Sequence, residues 1–152
     1  MPCLSGNYDP AVGILLQVGI LPASELTAIQ AGQGVTPLQN LAMFMGLVDT
    51  GASVTCISNN VVKMVGLTPS GKTTMTGSTG SGTVDQFSFL VVFFVNPQQL
   101  PTGQVTGQAQ VNLVQGCEFA SHGFGFDVLI GRDILCKGAL SFSYDGHFVL
   151  SF

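Results

Sequence analysis

Charge is what this sequence has least of. Only 8% of its 152 residues are Asp, Glu, Lys or Arg, against roughly 25% in an ordinary soluble domain. The four basic residues, Lys63, Lys72, Lys137 and Arg132, are scattered, so no basic stripe exists to neutralise a phosphate backbone. That argues against nucleic acid as a partner. No apolar run approaches the roughly 18 residues of a membrane span. The opening MPCLSGNYDP lacks the basic region and apolar stretch of a signal peptide, so a cytoplasmic location is the expectation. The cysteines Cys3, Cys56, Cys117 and Cys136 show no CxxC spacing and are too sparse for a disulfide framework. They read as reduced, mostly buried thiols rather than zinc ligands. Internal repeats are missing too, and the triplet Asp-Thr-Gly occurs once.

What is present favours strands. Apolar residues make up 46% of the chain, with 20 glycines and recurrent Val, Thr and Phe. The length corresponds to one domain over 1–152, able to bury about 68–70% of its unfolded surface. Against so few charges, the apolar excess implies that one face is covered by another subunit.

Val12–Ile20 reads as a buried strand, and residues 23–39 as a loop or hairpin connection rich in small and polar residues. The apolar run Leu41–Val48 stops abruptly at Asp49-Thr50-Gly51-Ala52. A strand at Val54–Ile57 leads to Ser58, a suitable N-cap for a helix at Asn59–Val65 that Gly66 would close. Residues 73–85, rich in Gly and Thr, have the composition of a mobile hairpin. Phe87–Val95 is the most β-prone stretch, 96–110 looks like loop, and Val111–Val114 and Asp127–Ile130 read as strands. Asp133 can cap a helical turn at Ile134–Lys137, and Ala139–Phe152 is a hairpin with an Asp145-Gly146 turn. Asp85 reads as a solvated turn residue, as does Asp145, and neither His122 nor His147 draws a chemical role.

A carboxylate placed directly after a buried strand and followed by Thr and Gly is an odd way to end that strand. By itself the triplet could equally be a turn cap. Downstream stands a second unusual element, Val128-Leu129-Ile130-Gly131-Arg132-Asp133, aliphatics running into Gly-x-Asp. The two together, in this order around a Gly-bearing hairpin and before a terminal hairpin, resemble the retropepsin-like aspartic peptidases over about residues 12–152. The closing stretch LIGRDILCKGALSFSYDGHFVLSF looks more like the stand-alone bacterial members than the viral ones.

The resemblance implies an all-β fold, a closed barrel-like lobe of six to eight strands with one or two short helices, acting as a two-fold homodimer. It implies an aspartic endopeptidase with no metal or organic cofactor, cleaving extended peptides. The alternative is a non-catalytic dimerisation or peptide-binding module that keeps the fold. Asp49, one from each copy, would be the catalytic pair, with Thr50 fixing the two loops across the axis and Gly51 letting the backbone approach substrate. Ala52, the hairpin tip at Ser78, Thr79 and Gly80, and Ile130 would contact substrate. The terminal strand His147–Phe152, with Phe148 and Leu150, is expected at the interface between copies. The viral relatives pair the matching arginine with an aspartate just after the triplet loop. Ser53 stands there, which leaves Arg132 to Asp9 or Asp127 or to no partner.

Gly66–Thr73 also satisfies the phosphate-cradling pattern G-x-x-x-x-G-K-[ST]. That mechanism needs a strand before the loop and a helix after it. The sequence offers the reverse, and Pro69 removes an N–H from the loop.

Overall fold

The computed structural model describes residues 2–31, 41–77, 79–99, 101 and 105–152. Strand β1, Cys3–Asn7, forms in a segment with no strand signal of its own, and β2, Leu15–Pro22, follows it. In β2, Leu16, Val18 and Ile20 turn inward while Gln17 faces out, the two-residue alternation of a half-buried strand. A 3-10 turn at Ala23–Glu25 and a short helix α1, Leu26–Gln30, follow where a loop or hairpin was expected. Ala, Leu, Glu and Gln there are good helix formers, a local signal that the small-residue composition around it obscured. The rest of that connection, 32–40, lies outside the described residues.

Strand β3, Ala42–Val48, carries the chain to Asp49, and β4, Cys56–Ser58, carries it away from the triplet loop. Helix α2, Asn59–Val65, then forms as its caps dictate. The Ser58 hydroxyl accepts from the Val61 N–H at 3.3 Å. Gly66 ends the helix at φ 73, a left-handed conformation that costs glycine little. The phosphate-loop pattern therefore sits after a helix and enters strand β5, Gly71–Gly77. In it Lys72 pairs with Asp85 at 2.9 Å. Asp85 is thus a strand residue in an exposed ion pair rather than a turn residue, and solvent screening leaves such a pair little weight in stability.

The longest apolar run lies within the longest strand, β6, Gly80–Gln99, which pairs with β7, Val105–Phe119. The Pro- and Gln-rich stretch expected as loop is mostly the extension of these two strands. Long-range pairing outweighs its weak local propensity. Phe87, Phe89, Val91 and Phe93 enter the central core, and Leu90 and Val92 on the opposite face are equally buried. Burial on both faces explains why this strand reads as a continuous apolar run instead of alternating.

Strand β8, Val128–Ile130, leads to helix α3, Arg132–Leu135, and the chain ends in strands β9, Ala139–Phe142, and β10, His147–Ser151. Six strands close on themselves in the order β2-β3-β8-β4-β7-β6, with β6 pairing back to β2. β5 hangs outside this ring on β6. Closure leaves no unpaired edge within the ring, as an all-β lobe with few helices requires.

The remaining strands form a separate sheet, β1-β10-β9. The C-terminal strand was expected to present Phe148 and Leu150 to a second copy, and these two side chains turn inward instead. Phe148 is 4% exposed and Leu150 is 0% exposed, both within the core of their own chain. β1 and β9 flank β10 on either side and take up its backbone hydrogen bonds. Val149, on the other face, is exposed.

Candidate active site

The position of the triplet loop follows from one pairing. β3 and β8 are parallel, with Val48 opposite Ile130, so the two strands end side by side. Asp49 and Gly131 therefore leave the barrel at adjacent points although they are far apart in sequence. The Asp49 N–H donates to the Ile130 carbonyl at 3.0 Å, and the Arg132 N–H to the Ala52 carbonyl at 3.0 Å. These two bonds clamp the loop against the turn.

Within the loop, one Asp49 carboxylate oxygen, Oδ1, accepts from the Gly51 N–H at 2.8 Å and from the Ala52 N–H at 3.2 Å. The backbone thus fixes the carboxylate in one orientation. A Cβ at Gly51 would sit 3.1 Å from that same oxygen, which is why the smallest residue belongs there.

A second lock lies beneath. Thr55, fully buried, donates its N–H and its hydroxyl to Asp133 Oδ1 at 3.0 and 2.7 Å. Its hydroxyl oxygen accepts from the Gly131 N–H at 3.0 Å. Asp133 was expected to cap the following helix, but Gly131 is the N-cap and Asp133 lies in the first turn. Its carboxylate serves mainly to tie that turn to the triplet loop, and it also accepts from the Ile134 N–H at 3.0 Å. A Cβ on Gly131 would come within 2.6 Å of the Val54 carbonyl carbon, so this contact, too, requires glycine.

A cleft of about 400 Å³ opens beside the loop. Asp49, Gly51 and Ala52 form one wall, and Thr73–Gly77 of the β5–β6 hairpin form another. Val54, Cys56, Cys117, Phe119 and Leu129 supply apolar lining. Asp49 is the one carboxylate among the lining residues. An apolar cleft with a single convergent acid is the general form of a small binding or reaction site.

The other residues singled out from the sequence fall as follows. Thr50 is exposed and outside the cleft lining. Ser78 lies outside the described residues. Thr79 and Gly80 are exposed at the hairpin turn and do not line the cleft. The hairpin reaches it instead through the length of β5. Ile130 is fully buried in the core, and strand alternation presents Leu129 to the cleft in its place. Arg132 is exposed and makes no ion pair among the described residues. The two aspartates proposed for it are otherwise engaged, Asp127 accepting from the Ser58 hydroxyl at 2.6 Å and Asp9 from the Ala11 N–H at 2.9 Å.

Two cleft residues were not foreseen. Cys56 and Cys117 are direct partners across the parallel pair β4–β7, and both are buried in the cleft wall. Burial pushes the Cys56 thiol up to about 11, opposed in part by the backbone N–H of Cys117, and burial raises the Cys117 thiol as well. Nothing in the spacing of the two cysteines signals their proximity, because it depends on strand order.

Comparison with known proteins agrees with this geometry. A family model described as "Aspartyl protease" matches residues 40–133, a span that begins before the triplet loop and ends at Asp133. A search of curated proteins finds no match. Among solved structures, the chain is similar to a retropepsin-like aspartic protease from Rickettsia conorii, at 14% identity, over 97% of this chain and 89% of that one, with a TM-score of 0.52. At that identity the likeness establishes the fold, a retropepsin-like one.

Proposed function

The chain belongs to the aspartyl protease family, and on that premise we propose that it is an aspartic endopeptidase assembled from two copies, with Asp49 of each forming the catalytic pair. The observation that carries this reading is the single oriented carboxylate, Asp49, at the wall of an otherwise uncharged cleft. One such group cannot act at once as general base and general acid on a peptide bond. A second carboxylate is needed, and the Asp-Thr-Gly triplet occurs once per chain. A two-fold axis beside the exposed face of the triplet loop supplies it.

Two carboxylates about 3 Å apart cannot both ionise, so the pair holds one shared proton. The charged member takes a proton from a bound water as that water attacks the carbonyl carbon. The protonated member donates to the carbonyl oxygen, and the pair's titration belongs to both groups together. Thr50, exposed beside Asp49, is placed in this reading to bond across the axis to its counterpart. The β5–β6 hairpin lies over the cleft and excludes water when substrate is bound. The substrate lies extended between hairpin and loop, with uncharged side chains flanking the cleaved bond.

The test is Asp49→Asn, which keeps shape and hydrogen-bonding capacity but removes the base. Peptide cleavage should fall by about three orders of magnitude or more, with the fold intact by circular dichroism. Cleavage of an uncharged peptide library at a tenth of the wild-type rate would refute the assignment.

A further inference from the structure

We propose that Cys56 and Cys117 form a two-thiol modification site in the cleft wall, open to exchange with low-molecular-weight disulfides of the glutathione type.

The site is built by the sheet. Neighbouring strands lie about 4.8 Å apart. Paired cysteines on them fall inside the Cα separation of about 4.4–6.8 Å that a disulfide spans. Cys56 and Cys117 are such partners in the β4–β7 register, and both face the cleft that holds Asp49. The Cys56 S–H donates to the Val54 carbonyl at 3.5 Å. That donation stabilises Cys56 in its thiol form, which leaves Cys117 as the member of the pair that ionises to attack. Neither cysteine takes part in the locks that hold the triplet loop, so the pair is available for chemistry of its own.

The reaction balances in two steps. The Cys117 thiolate attacks one sulfur of the small disulfide. A Cys117–S–S–R bond forms, the original S–S bond breaks, and one thiol leaves carrying the proton Cys117 gave up. The group R now occupies the cleft. Cys56 then loses its proton and attacks Cys117 Sγ, forming the Cys56–Cys117 bond and expelling the second small thiol. Two protein thiols are oxidised and one small disulfide is reduced to two thiols. Cys56 thereby clears the cleft of a bulky adduct.

The full-length chain would be incubated with oxidised glutathione, quenched in acid, and mapped by non-reducing proteolysis and mass spectrometry. The exposed Cys136 serves as an internal measure of reagent exposure. The proposal expects a Cys56–Cys117 bridge, seen as loss of two hydrogens from the linked peptides. Cys56→Ser and Cys56→Ala should both stop at glutathione attached to Cys117. Resting on the peptidase reading, that adduct should also cut cleavage at least tenfold, reversibly with reductant, but the mapping stands without it. The proposal is overturned if Cys56 and Cys117 stay unmodified once Cys136 has fully reacted, or if the bridge forms only in denaturant.

Discussion

Thr55 and Asp133 meet through two hydrogen bonds to a single carboxylate oxygen, at 3.0 and 2.7 Å, joining the segment after the triplet loop to the turn after β8. The Thr55 hydroxyl also accepts from Gly131, so one buried side chain holds two residues of that turn. A lock of this kind makes the geometry of Asp49 depend on a buried residue outside the triplet loop.

Thr55→Val keeps the shape but removes the hydroxyl. The buried Gly131 N–H loses its acceptor, which costs about 1–3 kcal/mol. Thr55→Ser, which restores the oxygen, should recover most of that loss. Urea unfolding of the three proteins measures it, and equal stability of the valine and serine variants would show that the hydroxyl is not needed.

Gly116→Ala tests how closely β7 passes the segment that follows the triplet loop. The new Cβ would fall on the Thr55 carbonyl, and 3.0 Å from the Phe89 ring. Both are buried, so backbone must shift. A loss of about 1–3 kcal/mol is expected by thermal or urea unfolding, despite the helpful entropy of replacing glycine. A stabilised variant would mean that this close approach is wrong.

The cleft thiol gives a pH-dependent signature. Cys56 is raised from 9.0 to about 11, chiefly by burial. The folded state therefore holds its proton more tightly than the unfolded chain does. The resulting stability is complete below about pH 9 and is lost as pH rises toward about 11. The loss is on the order of 2 kcal/mol. Cys56→Val has no such group, so the stability difference between it and wild type should shift in its favour by that amount over this range. A constant difference, from denaturant titrations at each pH, would contradict the burial argument.

How far the sequence reveals all this depends on whether the signal is local. Helix α2 was legible to the residue, because Ser58 and Gly66 act on their own neighbours. The triplet loop and the Ile130-Gly131-Arg132 turn were legible as a pair of motifs. The β5–β6 hairpin was legible from its glycines. Other features were fixed by pairing between distant strands. The long arms of β6 and β7 defeat a loop-like composition. Phe148 and Leu150 of β10 looked like interface but pack into the core of their own chain. Leu129 rather than Ile130 faces the cleft, a matter of strand parity that a shift of one residue inverts. Asp133 looked like a cap because its partner, Thr55, is remote in the chain.

The claim that two copies share one site is tested most directly by mixing subunits. Wild-type chains are equilibrated with a growing excess of Asp49→Asn chains, and peptide cleavage is measured per wild-type chain. If each site needs Asp49 from both copies, mixed pairs are inactive, and activity per wild-type chain should fall toward zero as the excess grows. Activity per wild-type chain that stays constant at every ratio would contradict the shared site.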